Sequence, residues 1–163
     1  MCGIFGNFDL NDSKIFYDIG KYSETRGKEA SGFVSIKNKK EKIEKFPLPF
    51  SNKVIKNNIL KETTFGENST FIGHTRLKTH GNEEQDENNQ PISSGDFSAV
   101  HNGIVVNYKD LINDFELEIT SDLDSEIITL LLEKFKRDNN LLDTIKNTLK
   151  LLSGEVSIAC SVK

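Results

Sequence analysis

Apolar residues appear almost at once. Ile4-Phe5-Gly6-Asn7-Phe8 is a short run suited to a buried strand. Asp12 or Ser13 can cap a helix, and Ile15, Phe16, Ile19 and Tyr22 then recur on one helical face as far as Glu24. Arg26-Gly27 ends that element. Residues 32–36 and 42–46 read as hairpin strands across a polar turn at 37–41, and Pro47 and Pro49 break the pattern. A weakly patterned helix is expected over 52–61 and a strand over 69–74. Residues 78–95 are polar and rich in turn formers (Gly81, Asn82, Asn88, Asn89, Pro91), so one long loop is expected, of a length that is often functional. Residues 97–101 and 104–106 read as strands around an Asn102-Gly103 turn. Ile127, Ile128, Leu131 and Phe135 set a helix over 125–136; a second follows over 141–152, closed by Gly154, and a last strand over 156–162.

Strands and helices mix without a regular βαβ alternation, which predicts a layered α+β fold rather than a Rossmann sheet. At 163 residues the chain reads as one domain, 1–163, long enough to bury a core. With 36% hydrophobic and 28% charged residues it is globular rather than disordered. Trp is absent and Phe counts 11, so Phe must supply most of the aromatic core.

A net charge of -4 argues against nucleic acid or an acidic membrane surface as a partner. No apolar run approaches a membrane span, and the first residues lack the basic flank and long apolar core of a signal peptide. Two cysteines, Cys2 and Cys160, are too few for a disulfide scaffold, so a reducing cytoplasm is expected. His74 and His80 are not spaced as a helical ligand pair and no cysteine cluster accompanies them, so neither metal nor cofactor is expected.

Cys2 carries the candidate chemistry. Removal of Met1 would leave a thiol and a free α-amine on one residue. Such an amine has a pKa of about 7.7–8.0 and can take the thiol proton, so one residue supplies nucleophile and base. Read by position alone, Cys2 is a small apolar residue capping a strand.

The motifs around it favour the chemical reading. Met1-Cys2-Gly3-Ile4-Phe5-Gly6, Arg26-Gly27-Lys28-Glu29-Ala30-Ser31-Gly32, Gly73-His74-Thr75-Arg76-Leu77-Lys78-Thr79-His80-Gly81, Asn89-Gln90-Pro91, Val100-His101-Asn102-Gly103-Ile104 and Ser121-Asp122-Leu123-Asp124-Ser125-Glu126 follow one another in order. This set resembles the class II glutamine amidotransferases, a branch of the N-terminal-nucleophile hydrolases, over essentially the whole chain. Within that family it looks closest to the glutaminase domain of the glucosamine-6-phosphate synthases, then to the amidophosphoribosyltransferases.

The resemblance implies a four-layer αββα sandwich, with Cys2 on a central sheet close to the Asn102-Gly103 turn. It implies that Cys2 attacks the side-chain amide of L-glutamine, that a thioester forms, and that glutamate and ammonia leave. Asn102, through its side-chain NH2, and Gly103, through its backbone N–H, match the oxyanion hole. Arg76 matches the residue that grips the substrate α-carboxylate, and Asp124 the one that receives its α-ammonium. Asp122 leaves a register ambiguity, which Asp124-Ser125-Glu126 before an apolar helix resolves toward Asp124. Thr79 and His80 match the lining of the glutamine pocket. Arg26 matches an arginine that orients the chain terminus; a buried structural arginine is the competing reading.

The chain also departs from the family. Leu77-Lys78 stands where Trp-Ala is common, in a segment that covers glutamine. Glu29 replaces a usual Asp. Family domains continue with further strands beyond the point matching Lys163, so the sandwich is expected to be complete or truncated at its C-terminus. Three explanations stand open: a compact variant with a separate synthetase partner, a truncated product, or a catalytically silent subunit that keeps the glutamine pocket. Exposed apolar faces and sheet edges would then call for a partner or a homo-oligomer. The ammonia acceptor, a sugar phosphate or another small electrophile, would lie on a separate domain or protein.

Overall fold

The computed structural model describes residues 2–9, 11–61, 65–77 and 88–163. Strands β1 (Gly3–Phe8), β2 (Ala30–Lys37), β3 (Lys40–Phe46) and β4 (Ser69–Arg76) form one antiparallel sheet in the order β1-β4-β2-β3. Strands β5 (Ile92–Ser94), β6 (Phe97–Val105) and β7 (Gly154–Val162) form a second, in the order β5-β6-β7. Helices α1 (Ser13–Ser23) and α2 (Lys53–Lys61) cover the first sheet; α3 (Tyr108–Phe115) and α4 (Glu126–Lys136) cover the second, with α5 (Leu141–Leu151) against α4. The layers therefore run αββα, the α+β architecture expected.

Strand alternation builds the core. On β2, Phe33 points to the helices and meets Phe16, their rings edge-on at 5.8 Å. Val34 and Ile36 point the other way, joining Ile72 and Val100 between the sheets. A strand in a central layer buries both faces, which is why β2 is buried along almost its whole length, with Ser31 and Ser35 buried beside its apolar residues. Phe16, Phe33, Phe50, Phe71 and Phe97 are fully buried, so Phe does supply the aromatic core. Truncating any one to Ala costs about 3–5 kcal/mol.

Several expected elements shift. The β2–β3 turn is tighter than 37–41: Lys37 pairs with Lys40, and Asn38 and Lys39 lie at φ 50° and 63°, the two-residue turn whose twist matches the flanking strands. The 78–95 loop holds a short strand, β5; residues 78–87 lie outside the described residues. The helix α3 was not anticipated, although Tyr108, Leu111, Ile112 and Phe115 carry the helical spacing and pack into the second core.

The clearest correction concerns Asn102-Gly103. It is no hairpin turn: β6 runs unbroken through it, with Asn102 opposite Ser157 and Gly103 opposite Val156. An Asn-Gly pair makes a hairpin only when its own flanks pair with each other. Here β7 supplies the partner along the whole strand. Among the described residues, no helix is long and apolar enough to cross a membrane.

Candidate active site

The register of β1 against β4 sets Gly3 opposite Thr75, which carries Cys2 to the end of β4, beside Arg76 and Leu77. Gly3 is needed there, since a Cβ would come within 2.1 Å of Ser23 Oγ and 2.7 Å of the Ser23 carbonyl. Cys2 is half-buried and its Sγ lies 3.6 Å from the Leu77 carbonyl. Two contacts hold its backbone. Arg26 Nε donates to the Cys2 carbonyl at 2.9 Å, and the Cys2 nitrogen donates to Asn102 Oδ1, also at 2.9 Å. Arg26 is exposed, which removes the reading of a buried structural arginine.

Asn102 and Gly103 arrive on β6, from the opposite sheet. The bond from Cys2 fixes the Asn102 carboxamide with its oxygen toward residue 2, leaving Nδ2 as the group available to donate. Gly103 lies at φ 139°, and a Cβ would stand 1.7 Å from the Glu155 carbonyl. Only glycine meets both conditions.

Cys2, Asn102 and Gly103 open onto a cavity of about 840 Å³, also lined by Arg76, Asp124 and Leu77. Arg76 is buried at the end of β4, its Nη1 donating to Asn89 Oδ1 at 2.8 Å. Asp124 sits just before α4; its carboxylate accepts from Val105 N at 2.6 Å and from Ser125 Oγ at 3.2 Å. Two acceptor oxygens can take further donors. The Asp122 side chain is turned away, toward Asn88 Nδ2 at 3.2 Å, with the Asn88 oxygen accepting from Asp122 N at 2.9 Å. Of the two aspartates it is Asp124 that lines the cavity. Thr79 and His80 lie outside the described residues.

Residues quoted in the motifs but given no role complete the wall. His74 and His101 are both buried, and the Nε2 atom of each has no hydrogen-bond partner among the described residues. Burial, reinforced by the Arg76 charge and by His101, pushes the His74 imidazole down to about 3. Burial lowers His101 as well, against the pull of Asp124. Both rings are therefore neutral near pH 7, and Arg76 remains the fixed positive charge of the wall. Ser125 Oγ lies 2.8 Å from His101 Nδ1. Glu126 anchors the turn before α4: burial opposes its charge, but hydrogen bonds from the side chains and backbone of Ser121 and Thr120 hold its carboxyl below the usual range. Among the described residues no group of three or more His, Cys, Asp or Glu is placed to hold a metal ion.

Chemically, the cavity offers a thiol, amide donors from a second sheet, a guanidinium and a carboxylate. A small zwitterion with a reactive carbonyl matches that set.

Comparison with known proteins points the same way. A family profile described as "Glutamine amidotransferase domain" matches residues 74–162. The glutamine–fructose-6-phosphate aminotransferase (isomerizing) of Sulfurisphaera tokodaii is 33% identical over 168 residues, covering 97% of this chain and 28% of that protein. The enzyme of the same name from Haemophilus influenzae is 32% identical over 159 residues, covering 94% and 25%. Among solved structures, the glutamine phosphoribosylpyrophosphate amidotransferase of B. subtilis, complexed with ADP and GMP, aligns with a TM-score of 0.78 at 26% identity, covering 99% of this chain and 35% of that one. A structure described as the allosteric regulatory enzyme of purine biosynthesis aligns with a TM-score of 0.81 at 27% identity, covering 98% and 35%. The chain thus spans about a quarter to a third of the length of these relatives.

Proposed function

The chain belongs to the glutamine amidotransferase domain family, in its class II, N-terminal-nucleophile form, and on that premise we propose that it hydrolyses the side-chain amide of L-glutamine through Cys2. The observation that carries this is the 2.9 Å bond from the Cys2 nitrogen to Asn102 Oδ1, which joins nucleophile and oxyanion donor across the two sheets.

With Met1 removed, the Cys2 α-amine takes the thiol proton and the thiolate adds to the glutamine Cδ. Asn102 Nδ2 and the Gly103 N–H hold the resulting oxyanion. Collapse expels ammonia, which carries the proton returned by the α-ammonium, and leaves a γ-glutamyl thioester. Water, deprotonated by the same amine, adds to that thioester, and glutamate departs with the thiol restored. The sum is glutamine plus water giving glutamate plus ammonia.

Arg76 binds the substrate α-carboxylate with its planar fork, and Asp124 binds the α-ammonium. Thr79 and His80 are assigned to glutamine binding by the motif match alone. Arg26 steadies the nucleophile by holding the Cys2 carbonyl. A free thiolate nucleophile fits a reducing cytoplasm.

The ammonia goes to an acceptor, a sugar phosphate or another small electrophile, on a separate domain or protein. The exposed apolar residues of α5, Leu142 and Leu149, beside the outer strand β7 fit a side covered by such a partner or by a second copy.

The test is glutamate release from L-glutamine by the purified protein, with its N-terminal mass measured in parallel. Release by a protein that begins at Cys2, lost in Cys2→Ala, supports the reading. Glutamine binding without release, by protein starting at Cys2, would leave the silent-subunit alternative.

A further inference from the structure

The ladder between β5 and β6 pairs Ile92 with Ala99, Ser93 with Ser98 and Ser94 with Phe97. Two steps further in the same register, position 90 stands opposite His101. The backbone does not make that rung. The Gln90 carbonyl packs instead against β2, where a Cβ on Gly32 would come within 2.3 Å of it.

The Gln90 side chain makes the rung instead. Its Nε2 donates to the His101 carbonyl at 3.0 Å, and its Oε1 accepts from the His101 N–H at 2.5 Å. A carboxamide carries a donor and an acceptor in one plane, as a peptide group does, so it can extend a sheet by one residue. Gln90 and His101 are both buried, so water offers no replacement for either bond. Gln90 Nε2 also lies 3.4 Å from Ser125 Oγ, which bonds to His101 Nδ1 and donates to Asp124 Oδ1. One side chain therefore touches the residue before Asn102 and the hydroxyl that orients Asp124.

We propose that Gln90 is a positioning residue for the oxyanion hole: its carboxamide stands in for a missing strand residue, and so sets the height of Asn102 and Gly103 over Cys2. This rests on the glutamine-hydrolysis reading above. It also gives the middle residue of Asn89-Gln90-Pro91 a task separate from that of Asn89, which meets Arg76.

The test compares Gln90→Met, which keeps the length and removes both bonds, and Gln90→Glu, which keeps the acceptor and removes the donor. Four quantities are measured: kcat and KM for glutamine, the rate at which iodoacetamide alkylates Cys2, and hydrogen exchange at the His101 amide. For Gln90→Met the expected result is a kcat lower by about tenfold or more, part of the 10²–10³ that an oxyanion donor is worth. KM stays within about twofold, alkylation, which needs no oxyanion hole, keeps its rate, and His101 exchanges faster. Gln90→Glu carries the same comparison if Gln90→Met does not fold. An unchanged kcat in either folded variant overturns the proposal, as does a joint collapse of kcat, KM and alkylation, which would mark a general structural role. If the wild-type chain releases no glutamate, the hydrolysis reading fails by itself. Exchange at His101 then tests the clamp alone, and unaltered protection in the variants overturns it.

Discussion

The backbone nitrogen of Cys2 and Oδ1 of Asn102 stand 2.9 Å apart, joining positions 100 residues distant in the chain and on different sheets. The bond uses one N–H. A terminal amine at the same place keeps its lone pair for the thiol proton. The bond also decides which end of the Asn102 carboxamide is left to donate. Position of the base and orientation of the oxyanion donor are thus set by a single contact.

Asn102→Ala should lower glutamate release by about 10²–10³, the cost of one lost oxyanion donor. Asn102→Asp retains an acceptor for the Cys2 nitrogen but has no N–H to offer, so it should lose a comparable amount. Steady-state rates with saturating glutamine check this; a wild-type rate in Asn102→Asp would contradict the donor role.

Arg76→Lys keeps the charge but loses the planar fork, and should raise KM for glutamine by about 10–100-fold, equivalent to one charged hydrogen bond of about 1.5–3 kcal/mol. The effect on kcat should be smaller. Glutamine titration of initial rates separates the two parameters, and an unchanged KM would exclude Arg76 from the substrate head.

Gly103→Ala should destabilise the protein by about 1–3 kcal/mol from its φ of 139° alone, with more added by the 1.7 Å approach to the Glu155 carbonyl. Denaturant unfolding measures this. The distortion falls on the β6–β7 ladder, so activity should fall with stability.

Stability should decline as pH falls from about 7 toward 4. His74, held down to about 3, stays neutral over that range in the folded protein, and His101, also lowered, charges later there than in the unfolded chain, where both charge near their ordinary value of about 6.5. Below that pH the unfolded state binds more protons, so each such group removes up to about 1.4 kcal/mol per pH unit. Glu126 adds a later loss. Its folded-state carboxyl is held low, so its contribution is present above the ordinary carboxylate range and disappears as pH drops through its folded value. Unfolding midpoints at successive pH values should fall first in the histidine range. A midpoint flat from pH 7 to 5, falling only in the carboxylate range, would contradict the buried neutral pair.

Much of this was legible in the residues. The period-2 and period-3.6 patterns located most strands and helices within a few positions, because each buries a face against a neighbouring layer. Asn102-Gly103 misled for a physical reason. Local turn preference is real, but the partner strand β7 lies over 50 residues later, and its long-range pairing overrides the local signal. The helix α3 was visible in Tyr108, Leu111, Ile112 and Phe115, yet it is short and follows directly on a strand. The clamp from Gln90 to His101 could not be read at all, since it depends on a loop side chain taking the place of backbone beside strand β6.

The most direct test of the account is where a glutamine-analogue electrophile, 6-diazo-5-oxo-L-norleucine, attaches to the purified protein. The prediction is one adduct, on Cys2 of a polypeptide lacking Met1, blocked by excess glutamine. Cys160 is exposed but lies outside the cavity lined by Cys2, Arg76 and Asp124, so it offers the glutamine analogue no binding site and should stay unmodified. An adduct on Cys160, or a Cys2 that stays unlabelled in protein beginning at that residue, would contradict the claim that Cys2 is the nucleophile.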